Sequence, residues 1–172
     1  MCRSVRIHGL VLFHRNHSRV RTIIAIDPGA NGGVAFYNDR DGIYRANDLM
    51  PLSDLLDDLD ILFDAGADVI FVVEDVPPFT GNMIPGSSAF KMGKSYGLVL
   101  GIGMGLRIPT YTIKPKKWQK VFDGLGKSKG PDRKKKLKDI CQQLHPEIKV
   151  TYKTCDAVLL MHYFIANEHT IK

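Results

Sequence analysis

Three acidic residues stand where charged side chains are uncommon. Asp27 and Glu74 each end an apolar run typical of a buried strand, and Asp156 lies near the start of an apolar helical segment. Burying an unpaired carboxylate is costly, so such groups need a cation, a helix N-terminus or a lysine beside them. If the two strands are parallel neighbours, Asp27 and Glu74 lie at one end of a sheet. Carboxylates of this kind hold Mg²⁺, and two such ions about 4 Å apart activate water for phosphodiester hydrolysis.

The elements that must position these acids form a mixed pattern. A hairpin comes first, and strands then alternate with helices, which indicates an α/β fold. Ser53 is the expected N-cap of the first helix, and Gly66 is its expected end. Strands are predicted over 22–27, 34–37, 42–46, 69–74 and 109–113, and helices over 54–65, 87–106, 114–122, 132–144 and 154–167.

Charge is distributed unevenly along the 172 residues, although the net charge is only +6. Residues 39–75 carry eleven acids and two arginines, whereas residues 107–138 carry twelve lysines and arginines and two acids. The basic block is either a solvated face or a nucleic-acid footprint. A hydrophobic content of 44% excludes a disordered or collagen-like chain.

The sequence favours an intracellular protein. Its three cysteines form no CxxC pair, and no apolar run approaches the length of a membrane span. Residues 1–21 are predicted to be a basic extension, with disorder and an organelle transit peptide as open alternatives. Residues 22–172 are predicted to form the functional domain.

Four motifs in order resemble the RuvC-type Holliday junction resolvases of the RNase H-like superfamily. They are Ile-Ala-Ile-Asp-Pro-Gly at 24–29, Val73-Glu74, Lys-Met-Gly-Lys-Ser-Tyr-Gly at 91–97, and Asp156-Ala157. The resemblance covers residues 22–166. The stretch from Ile108 to Trp118 is most similar to phage-type and prophage-type members.

The resemblance implies an RNase H-like mixed five-stranded sheet flanked by helices. It implies a homodimeric endonuclease that resolves four-way DNA junctions by symmetrical nicking in Mg²⁺, with Mn²⁺ as a substitute. Asp27, Glu74 and Asp156 match three of the family's metal ligands.

The fourth ligand position departs from the family. Lys153 stands where a carboxylate or histidine is usual, three residues before Asp156. A lysine cannot bind Mg²⁺, but it could contact the scissile phosphate, so Lys153 is kept as a candidate catalytic residue. Asp75 and Glu147 are possible replacements, although Asp75 should point away from Glu74. His145 and His162 are expected to be structural, because neither has a carboxylate or cysteine at ligand spacing.

A glycine recurs at every fourth residue of the predicted helix 87–106, at 93, 97, 101 and 105. Such a smooth face lets another backbone approach closely. Packing within the chain is the favoured interpretation of the glycines. The resemblance implies that this helix lies near a dimer interface.

Several residues are candidates for DNA contact. Phe79 could stack on an unpaired base or anchor its Pro-rich loop, and Trp118 is expected to anchor a short helix in the core. Basic side chains would neutralise phosphates and give salt-sensitive affinity. The candidates are Lys91, Lys94, Lys114, Lys116, Lys117, Lys127, Lys129, Arg133 and Lys134.

Three other functions remain open. A related nuclease would cut flaps, forks or branched DNA generally, and a non-catalytic protein would bind junctions without cutting them. The hairpin at 27–33 also resembles the phosphate-binding hairpin of actin-like and sugar-kinase ATPases. The length argues against that class, which needs two such domains.

Overall fold

The structure is a computed structural model that describes residues 4–7, 10–13, 19–29, 31–49, 51–76, 85–122 and 130–171. Its strands are β1 (Ser4–Ile7), β2 (Leu10–Phe13), β3 (Arg21–Ile26), β4 (Gly33–Asn38), β5 (Gly42–Asp48), β6 (Asp68–Glu74) and β7 (Thr110–Ile113). Its helices are α1 (Leu52–Asp64), α2 (Gly86–Gly105), α3 (Pro115–Gln119), α4 (Gly130–Leu144) and α5 (Cys155–Asn167), followed by a 3₁₀ turn, Glu168–Thr170.

Five strands form one mixed sheet in the order β5-β4-β3-β6-β7. Within this sheet β4 pairs antiparallel with both β3 and β5. β6 pairs parallel with β3, and β7 pairs parallel with β6. This architecture confirms the predicted α/β class with a mixed five-stranded sheet flanked by helices. β1 and β2 form a separate antiparallel pair within the N-terminal extension.

Alternating side chains of β3 supply two cores, one on each face of the sheet. Ile24 and Ile26 pack in the core that α1 and α2 cover. Ile23 and Ala25 pack in the core that α3, α4 and α5 cover. Period-two alternation with both faces apolar is the pattern of a central strand between two helical layers.

The predicted strands and helices of residues 22–167 are confirmed with small shifts at their ends. The predicted N-cap of α1, Ser53, is wrong. The N-cap residue of α1 is Pro51, and no side chain caps it. Ser53 lies inside the first turn, where its hydroxyl donates to the Asp54 carboxylate at 2.9 Å. Gly66 follows the helix with a φ of +73°, so the predicted end is confirmed.

The glycine stripe of α2 packs against none of the other described elements of the chain, contrary to the favoured interpretation. A Cβ added at residues 93, 97, 101 or 105 would meet no other atom within 4 Å. Gly103 is the glycine that faces the sheet, where an added Cβ would lie 2.5 Å from Oγ1 of Thr110. The stripe therefore faces outward on this chain.

No helix among the described residues is long and apolar enough to cross a membrane.

Candidate functional site

The parallel pairing of β3 and β6 brings two of the three predicted acids together. Ile26 is the register partner of Val73, and Asp27 and Glu74 are the next residue along each strand. Carboxyl ends of parallel neighbours meet at one sheet edge, as the sequence predicted. The two carboxylates are close enough that the charge of Asp27 raises the pKa of Glu74.

A tight glycine turn holds Asp27 in place. The backbone N–H of Asp27 donates to the carbonyl of Gly33 at 2.9 Å, and the N–H of Gly29 donates to Oδ1 of Asp27 at 3.3 Å. A Cβ at position 32 would lie 1.9 Å from the carbonyl oxygen of Asp27. Position 32 therefore has to be glycine for the turn to close.

Gly33 also lets the segment before α5 approach the hairpin. A Cβ there would lie 2.6 Å from the carbonyl oxygen of Lys153 and 2.9 Å from Cα of Thr154. Thr151 and Thr154 exchange hydrogen bonds, each hydroxyl accepting from the other's backbone N–H at 2.9 and 3.1 Å. This fixed turn sets the start of α5 and places Asp156, its second residue, against the end of β3.

Glu74 is held from the core side by Trp118. The indole of Trp118 is fully buried, and its Nε1–H donates to Oε2 of Glu74 at 3.1 Å. The prediction that Trp118 anchors α3 in the core is confirmed by its burial. Its hydrogen bond to the acid was not predicted, because nothing in the sequence relates residues 44 positions apart.

Burial and mutual repulsion make Asp27 and Glu74 weak acids. Desolvation and then the charge of Asp156 raise the pKa of Asp27 to about 6, against a smaller lowering by the Gly29 hydrogen bond. Desolvation and then the charges of Asp27 and Asp156 raise the pKa of Glu74 to about 8. The site therefore strongly favours a bound proton or cation.

Lys134 of α4 supplies one cation to this cluster. Its Nζ lies 2.5 Å from Oδ2 of Asp156, and its charge lowers the pKa of both Asp27 and Glu74. Burial opposes the charge on Lys134, but Asp156, with smaller contributions from Cys155 and Asp27, leaves its pKa raised overall. Lys134, assigned from sequence to DNA contact, thus lies inside the carboxylate cluster.

The donor chemistry of the cluster fits Mg²⁺, which prefers carboxylate oxygens. Within the described part of the chain, however, no three carboxylate, imidazole or thiol side chains converge closely enough to hold an ion between them. Both oxygens of Asp156 are engaged, Oδ2 by Lys134 and Oδ1 by the thiol of Cys155 at 3.4 Å. Asp27 and Glu74 are the buried pair that a dication would relieve most.

Lys153 lies outside the helix that carries Asp156. α5 begins at Cys155, so Lys153 belongs to the preceding turn and does not share its helical face. Its exposed Nζ pairs with Asp48 at the end of β5, at 2.7 Å.

The two possible substitute ligands are engaged elsewhere. Asp75 accepts a hydrogen bond from the hydroxyl of Tyr96 on α2 at 3.1 Å, which confirms that it points away from Glu74. Glu147 contacts His145 at 3.0 Å, so the expectation that His145 has no carboxylate partner is wrong.

The candidates for DNA contact, other than Lys134, lie on α2, around α3 and α4, or outside the described residues. Lys91 and Lys94 line an apolar cleft of about 230 Å³ between α1 and α2. Lys114, Lys116 and Lys117 are exposed around the start of α3, and Arg133 donates to Gln119, which ties α4 to α3. Phe79, Lys127 and Lys129 lie outside the described residues.

Neither a protein-family model nor a curated protein matches the sequence. Among solved structures, the chain is similar to Thermus thermophilus RuvC in complex with a Holliday junction substrate. That match has a TM-score of 0.55 and 16% identity, and covers 88% of this chain and 98% of the other. A second Thermus thermophilus RuvC structure gives a TM-score of 0.52 and 17% identity, with the same coverage. The protein therefore has a RuvC-like fold.

Proposed function

We propose that the protein is a metal-dependent endonuclease that resolves four-way DNA junctions. The observation that carries this proposal is the meeting of Asp27 and Glu74 at the ends of two parallel strands, with the charge of Asp156 near enough to raise the pKa of both. The RuvC-like fold supports it, because one similar structure is RuvC bound to a Holliday junction substrate.

Asp27, Glu74 and Asp156 would hold Mg²⁺ or Mn²⁺, which supplies an activated water and stabilises the leaving oxygen of the phosphodiester. Asp27 and Glu74 must lose their protons for this, and their raised pKa values place that loss between about pH 6 and 8. Trp118 keeps one oxygen of Glu74 turned toward the core, so the other is available to a ligand.

Lys134 has two successive roles in this scheme. In the metal-free chain it offsets the repulsion within the cluster through Asp156. With a dication at the carboxylates, its Nζ could leave Asp156 and would then neutralise charge on the scissile phosphate, as electrostatic stabilisation of a transition state requires. Lys153 is a weaker candidate for that role, because it is paired with Asp48.

The exposed lysines around α3 support a DNA-binding surface beside the carboxylate cluster. Lys114, Lys116 and Lys117 are exposed on the element whose Trp118 contacts Glu74. The continuation of this basic surface into Lys127 and Lys129 remains a prediction. So does stacking of Phe79 on a junction base.

The outward stripe of α2 supports a homodimer. Phe90 is 72% exposed and Met104 is 78% exposed, and both lie on the same helical face as the outward glycines. Exposed large apolar side chains beside small residues mark a surface that another helix can approach closely. Two copies paired through α2 would present two carboxylate clusters, as symmetrical nicking needs.

Cleavage of a synthetic mobile junction tests the proposal. We expect wild-type protein to nick two opposed strands in Mg²⁺ or Mn²⁺, and Asp27→Asn to lose at least ~10²-fold in rate. Asp57→Asn is the matched control, because Asp57 is an exposed acid on α1. Mapped product ends establish whether the nicks are symmetrical.

Other outcomes identify the alternatives. Equal rates on forks, flaps and junctions would indicate a general branched-DNA nuclease. Tight junction binding with no nicking in either metal would indicate a non-catalytic binding protein. Wild-type cleavage by Asp27→Asn would make the site assignment wrong.

An intracellular location and a phage-type subgroup are part of the proposal. The location is inferred from the cysteines, which form no CxxC pair. The subgroup is inferred from the stretch from Ile108 to Trp118. Organelle import gains no support from the fold.

A further inference from the structure

A pair of histidines joins the end of α4 to the middle of α5. Nε2 of His145, the residue after α4, lies 3.2 Å from Nδ1 of His162 on α5. On the other side of the first ring, Nδ1 of His145 lies 3.0 Å from Oε1 of Glu147. The two rings are steeply inclined, at 75° with centroids 5.3 Å apart.

The 3.2 Å between the two nitrogens is a hydrogen-bond distance in the metal-free chain, and it is also close to the separation of two nitrogens bound to one metal ion. Two nitrogens bound to one tetrahedral Zn²⁺ at about 2.0–2.1 Å lie about 3.3 Å from each other. Glu147 supplies the second feature of such sites, a carboxylate that accepts the other ring N–H of a ligating histidine. When Glu147 accepts from Nδ1–H of His145, Nε2 carries no proton and turns its lone pair toward His162.

We propose that Nε2 of His145 and Nδ1 of His162 bind a late first-row divalent transition metal such as Zn²⁺ or Cu²⁺, with Glu147 as a positioning residue. Imidazole selects these ions over Mg²⁺, which prefers oxygen ligands. On binding, the proton on Nδ1 of His162 moves through solvent to Nε2 of the same ring. The neutral ring then offers its Nδ1 lone pair, and no net proton is released.

The surroundings leave space for the rest of the coordination sphere. His162 lines a surface cleft of about 480 Å³ whose polar lining residues include Gln143 and Asn167. No third histidine, cysteine or carboxylate joins the pair into a three-ligand group among the described residues, so water completes the shell. The proposal is independent of the nuclease proposal, because His145 and His162 take no part in the carboxylate cluster.

Zn²⁺ titration of the full chain by calorimetry tests the site. The chain should carry Asp27→Asn, which weakens the carboxylate cluster as a competing site. It should also carry His8→Gln, His14→Gln and His17→Gln, at positions that lie outside the described residues. We expect one Zn²⁺ per chain, an affinity at least ~10-fold weaker with His145→Gln or His162→Gln, and a ~10- to 100-fold loss with Glu147→Gln. His169→Gln, an exposed histidine of the 3₁₀ turn, is the control and should leave the affinity unchanged.

Cu²⁺ electron paramagnetic resonance on the same background gives a readout that needs no substitution at His145, His162 or Glu147. Coupling to two imidazole nitrogens is expected. Absence of Zn²⁺ binding at 1 mM metal (about the weakest ~10⁻³ M affinities), binding unchanged by both histidine substitutions, or coupling to fewer than two imidazoles would each overturn the proposal.

Discussion

The indole of Trp118 donates its only N–H to Glu74, at 3.1 Å, from a fully buried position. This contact joins a core side chain of α3 to the carboxylate at the end of β6. The hydrogen bond favours the ionised form of Glu74 and lowers its pKa, against the larger raising effect of desolvation. A residue that stabilises the fold thus also sets the proton affinity of the site.

Trp118→Phe should raise the pKa of Glu74 further and move the pH profile of cleavage to higher pH. A hydrogen bond to a charged group contributes about 1.5–3 kcal/mol, which corresponds to an alkaline shift of about 1–2 pH units. The measurement is the nicking rate between pH 6 and 10. Phe122→Leu is the control, because Phe122 packs edge-on against Trp118 but its side chain has no group that could donate a hydrogen bond to Glu74. An unchanged profile in Trp118→Phe would show that the indole N–H has no effect on the acid.

Without divalent metal, the protein should lose stability as pH rises from about 4 to 8. The unfolded chain has ordinary pKa values of 3.8 for Asp27 and 4.5 for Glu74, whereas the folded values are about 6 and about 8. The folded state therefore binds more protons in this window, and the free energy of unfolding falls as they leave. Urea unfolding at several pH values measures the slope, and Mg²⁺ should reduce it.

Glu74→Gln should stabilise the metal-free protein at pH 8 by up to ~4 kcal/mol, because the pKa of Glu74 is raised from 4.5 to about 8 and each pKa unit corresponds to about 1.4 kcal/mol. Its amide oxygen can still accept from Trp118. The same variant should be inactive as a nuclease. Asp57→Asn should change neither property, and a less stable Glu74→Gln protein at pH 8 would contradict the assigned burial.

Substitutions on the outward face of α2 should separate a dimer into monomers. Phe90→Ser with Met104→Ser removes two exposed apolar side chains and leaves the sheet-facing residues of α2 in place. Light scattering after gel filtration should give one chain per particle for this variant and two for wild type. Ile61→Ser, at a 68% exposed position on α1, is the control that should remain dimeric. A wild-type monomer at tens of micromolar would exclude the interface.

The double variant Lys116→Ala, Lys117→Ala should bind junctions more weakly, and its affinity should also depend less steeply on salt concentration. Each lost phosphate contact reduces the log-log salt slope by about 0.9, so the pair should reduce it by about 1–2. Binding measured at four salt concentrations gives the slope. Lys149→Ala, an exposed lysine beyond α4, should leave it unchanged. Equal effects of the two variants would place the DNA surface elsewhere.

The sequence could predict the sheet and the acids because these depend on local pattern. Apolar runs ending in Asp27 and Glu74 predicted central strands, and parallel pairing then required their carboxyl ends to meet. The partners of the acids depend on tertiary packing. Lys134 reaches Asp156 across 22 residues, and no local rule relates them.

The orientation of α2 could not be predicted for a similar reason. The glycine period places the residues on one face, but it does not say whether that face meets the sheet. Gly103, which breaks the four-residue period, is the glycine that contacts Thr110. The N-cap of α1 was mispredicted because the helix begins two residues earlier than the sequence suggested. Pro51 is its N-cap residue without a side-chain hydrogen bond, and Ser53 lies within the first turn.

The helix α5 enters the sheet core after every strand has been made, and it brings Asp156 with it. A ribosome-bound chain that has emerged only as far as β7 therefore holds Asp27 and Glu74 without their third partner. Such a chain has no complete cluster and no apolar cover over one face of its sheet. The third acid therefore joins Asp27 and Glu74 only when the last helix packs against the finished sheet, so the cluster is completed by the same step that covers this face of the core.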